Sequence, residues 1–321
     1  MKRRTFFHVA GGSIILKPLT AKAMAKQSIK FESAFKVEIG QQLPDPCCIR
    51  IGDGYYLTGT NSTRGESKVA TLFDMFYSRD LVNWERVGPI LKRPDYEGST
   101  QANYWAPEIF PYRGRYYLYY TSDSFGDPYR RFVRVAVADR VEGPYEDSGR
   151  ALTEQPSIDG NPVSVSEDES YLFYTGNEGN EHMGQLLVDK FVSRLQLENK
   201  PRRVFPGETV GWEEGAFVIE SGGIFYLFSS QGNWRNETYH VLVSKAKNIL
   251  GPWERCRDES GNCKVAKTTA NQLGPGHNSV FRGPDDSFFI CYHAWDEKHS
   301  GRYPWIAPLQ WKEGFPFVMK Q

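Results

Sequence analysis

Asp45, Glu108, Asp159, Glu214 and His277 each stand a short, nearly constant distance before an apolar-aromatic run. The runs end at Leu57, Leu118, Leu172, Leu227 and Ile290, and the five residues lie 12, 10, 13, 13 and 13 positions earlier. Any one of them alone reads as a turn residue, as Asp45 does in its Asp-Pro pair. Five in phase read as a convergent cluster. Carboxylates crowded together repel one another, and partial burial adds to this, so some hold a proton near neutrality while others stay ionised. That division suits glycoside hydrolysis, which needs an acid for the leaving oxygen and a base for water, about 6.5–9.5 Å apart when the reaction inverts the anomeric centre. A ring of oxygens also suits calcium. The histidine breaks an all-oxygen cage and would reach such an ion through water.

The elements that must position these residues repeat as well. Each run, "GDGYYL", "RGRYYL", "EDESYL", "GGIFYL" and "DDSFFI", follows a turn-forming stretch and a preceding short strand, which makes a hairpin. The later part of the unit recurs in "LVNWE", "VEGPYE" and "ILGPWE", each after a β-rich run. Two landmarks repeating in phase every 54 to 63 residues, with no helical period, predict an all-β, single-domain, five-bladed β-propeller over residues 26–321. The first strand of a blade lines the central channel, so the five residues are expected to ring one end of the axis. Trp84, Tyr145 and Trp253 recur between blades and are expected to be structural.

Residues 1–25 stand apart. They carry Lys2, Arg3, Arg4, Lys17 and Lys22 with no acid, a short apolar run from Val9 to Leu16, and small residues before a cleavage point. This is the layout of a signal peptide. Arg3-Arg4-Thr5-Phe6-Phe7 favours the twin-arginine route over the general secretory one. The expected location is therefore outside the cytoplasm, periplasmic or extracellular, with no membrane anchor after cleavage. Without this segment 34 basic residues face 39 acidic ones. A mildly acidic chain with 14% aromatic residues is poorly suited to nucleic acid and well suited to a neutral ligand that stacks on rings. Export permits disulfides. Cys256 and Cys263 flank a polar turn where a bridge would close a short loop, and the sequence leaves open whether it forms, whereas Cys47, Cys48 and Cys291 sit in apolar strands as small core residues.

The chain resembles glycoside hydrolase family 43. The resemblance rests on "PDPCCIRIGDGYYL", "YWAPEIF", "SIDGNPVSVSEDESYLFYTG", "EEGAFVIESGGIFYLFSS", "GPGHNSVF" and "CYHAWD", which together span residues 44–296. It implies an exported, inverting glycosidase acting on plant-wall pentose glycans. Asp45 matches the general base, Glu214 the general acid and Asp159 the third carboxylate, which tunes the acid and orients the sugar. His277 matches an axial histidine that holds calcium through water in arabinan-cleaving members; the chemistry itself requires no cofactor. Two departures stand out: Glu108 replaces the usual Asp of Trp-Ala-Pro-Asp, and Glu213 adjoins Glu214. Tyr104, Trp105 and Glu108 are expected to contact the sugar, with core packing the alternative for Trp105. Arg302, in "SGRYPWIAPLQW", resembles an arginine that reaches the site from the last blade.

The "GPGHNSVF" and "YHAWD" stretches lean toward α-L-arabinofuranosyl linkages of arabinan or arabinoxylan. A β-xylosidase or galactosidase on the same fold, or a glycan-binding propeller without activity, are the competing readings; the last is disfavoured because all three carboxylates are present. Segments 62–74 and 124–131 are candidate loops for closing the cleft.

Overall fold

A computed structural model describes residues 31–319, apart from 62–70, 97, 100–101, 125–126 and 209–210. Residues 1–25, expected to be a signal peptide, lie outside the described residues, as does the 62–70 part of the first candidate loop. Five antiparallel sheets follow one another along the chain, as the repeats predict. Their innermost strands are Cys47–Ile51, Tyr104–Tyr112, Ser157–Ser164, Glu213–Ser221 and Leu273–Arg282. Each innermost strand touches those of both neighbouring blades, and blade one meets blade five, so the ring closes. The only helical element among the described residues is one 3-10 turn, Pro284–Asp286.

The closure uses a strand that the repeat pattern does not contain. Phe35–Lys36, which precedes Asp45, pairs with Arg302–Lys312 and forms the outer edge of blade five. The start of the propeller is thereby tied to its last blade.

Every blade is covered on both faces, which explains why the landmark runs are continuously apolar instead of alternating. Successive side chains on a strand point to opposite faces. Leu118 and Tyr120 therefore pack toward blade one with Cys47, Met75 and Leu91. Tyr119, between them, packs toward blade three with Leu172 and Leu187. Three further apolar layers fill the remaining gaps between neighbouring blades, giving one per interface. Tyr145 and Trp253 are buried in these layers and Trp84 packs at the edge of one, consistent with structural roles. Cys47, Cys48 and Cys291 are buried free thiols. Cys256 and Cys263, whose bridging the sequence left open, are both free thiols as well. Cys256 instead packs into the layer between blades four and five.

A second repeat joins the blades. Thr60, Thr121, Thr175, Ser230 and His293 each lie three residues beyond their landmark residue. Thr60 Oγ1 accepts the Ala106 N–H at 2.8 Å, and Thr121 Oγ1 accepts the Asp159 N–H at 3.0 Å. Ser230 Oγ accepts the His277 N–H at 2.8 Å, and His293 Nδ1 accepts the Asp45 N–H at 3.0 Å. Thr175 reverses the direction, donating to the Glu213 carbonyl at 3.2 Å. Each bond runs from one blade to the next in chain order, with blade five bonding blade one. Removing an acceptor would leave a buried N–H unpaired. We therefore expect Thr121→Val, which keeps the side-chain shape, to destabilise the protein by about 1–3 kcal/mol, measured by denaturant unfolding; an unchanged midpoint would contradict this.

Candidate active site

Four of the residues bonded in this way, together with Gly215 in blade four, share an unusual backbone. Asp45, Ala106, Asp159, Gly215 and His277 have φ of 51°, 48°, 61°, 61° and 48°. The left-handed region is costly for residues other than glycine, so it persists only where surrounding contacts hold it. Strand pairing shifts register beside these positions in blades two to five. The innermost strand bulges there, and a bulge re-aims a side chain out of the regular alternation.

This geometry corrects the expected ring. In blade two the in-phase residue is Ala106, and Glu108 lies two positions further along the strand, as its shorter spacing of 10 already hinted. The Glu108 carboxyl does not line the cleft; Oε1 takes a 3.4 Å contact from the Cys47 thiol. Burial pushes it up to about 8, so it is largely a neutral acid beneath the site rather than a sugar ligand. Tyr104 is also corrected. It is fully buried in the layer between blades one and two, and its hydroxyl donates to the Ser99 carbonyl at 2.9 Å.

The remaining expected residues gather in one cleft of about 1400 Å³, lined by Asp45, Asp159, Glu214, His277, Trp105 and Arg302 among others. Asp45 lies 3.5 Å from His277 Nδ1 and 3.7 Å from Arg302 Nη1 through Oδ1, and its Oδ2 accepts the Thr60 hydroxyl at 2.7 Å. Burial alone would raise its pKa. The charges of His277 and Arg302, with the Thr60 bond, outweigh burial and hold it at about 2. Asp159 is surrounded differently. Burial, reinforced by Glu214 and Asp45, raises it to about 7 despite His277 at 3.8 Å and the Gly215 N–H on Oδ2 at 3.2 Å. Asp45 is thus ionised well below neutrality, whereas Asp159 gives up its proton only near it.

Glu213 and Glu214 separate cleanly. The Glu213 side chain is fully buried and its carboxylate is gripped by Arg255, Ser229 and Gln231, a structural ion pair. Glu214 faces the cleft, where Oε2 accepts Trp212 Nε1–H at 2.6 Å and Oε1 accepts the Tyr239 hydroxyl at 2.7 Å. Gly215 follows because a Cβ there would press to 3.2 Å from the His277 ring, in a conformation that already favours glycine.

Trp105 lines the cleft with the Arg131 guanidinium 4.4 Å from its ring centre. Arg131 is in turn anchored by Asp123, 3.2 Å from Nε. Arg302 reaches the site from blade five and stacks over Trp234 at 4.5 Å. Trp212, Trp234, Tyr239 and His293 escaped the sequence reading. For His293 a signal existed: it stands three residues past Ile290, in phase with Thr60, Thr121, Thr175 and Ser230. Burial, with Arg302 and His277 nearby, drives its pKa well down, so it is a neutral acceptor for the Asp45 N–H.

The donor set does not fit a calcium ion held by these side chains. Burial disfavours a charged His277, but Asp159 and Asp45 overcome it and raise its pKa, making it the counter-charge between them. An imidazole bound directly to a metal must be neutral, so this argues against His277 as a direct ligand and does not bear on contact through water. Among the described residues no group of three or more His, Cys, Asp or Glu side chains is arranged to hold a metal.

The chain is similar to known proteins along most of its length. The family description "Glycosyl hydrolases family 43" matches residues 37–316. An extracellular endo-α-(1→5)-L-arabinanase of Thermotoga petrophila is 27% identical, over 87% of this chain and 69% of the relative. An extracellular exo-α-(1→5)-L-arabinofuranosidase of Cellvibrio japonicus is 25% identical over 85% of each chain. A crystal structure of a thermostable family-43 glycoside hydrolase shares the fold, with a TM-score of 0.75, 24% identity, and 87% of this chain and 93% of that one covered. The five-bladed chain is thus a glycoside hydrolase and belongs to glycosyl hydrolases family 43.

Proposed function

We propose that the protein is an exported, inverting glycosidase that cleaves α-L-arabinofuranosyl linkages of arabinan or arabinoxylan. The observation that carries this reading is the opposed state of the carboxyls in one cleft: Asp45 held ionised at about 2, Asp159 raised to about 7, and Glu214 gripped by two donors. Asp45 takes a proton from a water that attacks the anomeric carbon. Glu214 gives its proton to the departing glycosidic oxygen as that bond breaks. Asp159 accepts the N–H of the residue after Glu214 and lies against His277, so it orients the acid and sets the charge around it. Trp105 offers an apolar ring for a sugar face, and Arg302 lies beside Asp45 within reach of a sugar hydroxyl. The preference for arabinofuranosyl linkages is supported by the two relatives named above, and export by residues 1–25 together with the relatives' extracellular description. No helix among the described residues is long and apolar enough to cross a membrane.

Hydrolysis of an aryl α-L-arabinofuranoside, an aryl β-xyloside and debranched arabinan tests this directly. We expect activity on the arabinose substrates that survives EDTA, with kcat lowered about 10²–10⁴-fold in Asp45→Asn and on debranched arabinan in Glu214→Gln. Activity confined to the xyloside would replace the linkage, and unimpaired variants would replace the residues.

Asp159 makes a second expectation. Its folded value of about 7 exceeds the 3.8 of an ordinary aspartate, so protonation favours the folded state. That contribution is complete below the unfolded value and is lost as pH rises through about 7. Asp159→Asn cannot ionise and escapes this loss. Its melting temperature relative to wild type should therefore rise between about pH 4 and about pH 8; a constant difference would contradict the raised value.

A further inference from the structure

Tyr239 has entered so far only as one of two donors to Glu214, yet it links the acid to the base. It precedes the strand His240–Ala246 of blade four and is only 1% exposed. Its hydroxyl donates to Glu214 Oε1 at 2.7 Å. Its ring lies nearly parallel to that of His293, at 14° with centroids 5.8 Å apart. His293 in turn accepts the Asp45 N–H at 3.0 Å. One chain of contacts therefore runs from the carboxyl of Glu214, through a phenol and an imidazole, to the backbone of Asp45 on another blade.

The ring is also wedged in place. A Cβ at Gly276 would overlap the Cδ1 and Cε1 atoms of Tyr239, so only glycine admits the ring there. A Cβ at Gly274 would collide with the Asn236 carbonyl and stand 3.4 Å from the Tyr239 Cβ. The Gly-Pro-Gly run before His277 thus has a physical reason: it makes room for Tyr239 beside the left-handed turn. Burial, with Glu214 next to the phenol, drives its pKa well up, so it remains a neutral donor at any working pH.

We propose that Tyr239 is a positioning residue for proton donation, its hydroxyl fixing the Glu214 carboxyl and stabilising the carboxylate formed as the proton leaves. The proposal rests on Glu214 as the general acid. A hydrogen bond to a charged acceptor is stronger than one to a neutral acceptor. The contact therefore strengthens while the glycosidic oxygen takes the proton, which makes it an interaction gained in the transition state. Trp212 donates to the other oxygen from the cleft wall, where it is 37% exposed, whereas Tyr239 acts from the interior.

The test compares Tyr239→Phe and Glu214→Gln on two glycosides of whichever pentose the wild type releases. One has a sugar leaving group and the other dinitrophenol, which departs without an acid. Glu214→Gln is expected to lose the first substrate and retain the second. Tyr239→Phe should follow the same pattern, with kcat on the sugar glycoside reduced about 10- to 100-fold and kcat on the dinitrophenyl glycoside changed about threefold or less. KM and melting temperature should hold, because the phenyl ring still stacks on His293. Equal losses on both substrates, or none, would overturn the role of Tyr239 while leaving Glu214 as acid. Were Glu214→Gln to show no dependence on the leaving group, the acid assignment would fall and the proposal with it.

Discussion

The hydrogen bond from each blade to the left-handed turn of the next is the constraint on which the site depends. A bulge at the end of the innermost strand turns a side chain toward the axis, but it also removes a backbone N–H from the sheet ladder. Thr60, Thr121, Ser230 and His293 satisfy the N–H groups of Ala106, Asp159, His277 and Asp45 across the blade interface. In blade four the N–H of Gly215 finds Asp159 itself. The same contacts thus close the ring of blades, hold a strained backbone and aim the carboxylates. Stability and geometry are set together, at the same atoms.

Electrostatics follow from that placement. Asp159 is buried and Asp45 is half-buried at the cleft, and both contact His277. They differ because Arg302 and the Thr60 hydroxyl favour the charged form of Asp45, whereas Glu214 and Asp45 itself disfavour the charged form of Asp159. Removing water from the cleft magnifies each of these differences. His277 is then the shared counter-charge of the two.

The blades were legible in the sequence because their signals are local: turn residues, apolar runs and their spacing. Asp45, Asp159, Glu214 and His277 were legible as a convergent set for the same reason, and Arg302 through its motif. The failures have a common cause. Glu108 was placed in the ring by its charge, although its offset of 10 already separated it from the others, and the bulge puts Ala106 there instead. Tyr104 was read as a sugar ligand because it adjoins Trp105, yet neighbours on a strand face opposite sides and Tyr104 took the buried one. Tyr239 and Trp212 could not be found from spacing. They reach Glu214 from loops whose paths are set by tertiary packing, and the only trace of Tyr239 is the glycine at 276 that admits its ring.

The central claim is that Asp45 activates water while Glu214 protonates the leaving oxygen, in a single displacement at the anomeric carbon. Proton NMR of the first-formed sugar, recorded before mutarotation, tests it most directly. Hydrolysis of an α-L-arabinofuranoside is expected to release the β anomer first. Initial release of the α anomer would mean retention through a covalent intermediate and would contradict these roles for Asp45 and Glu214.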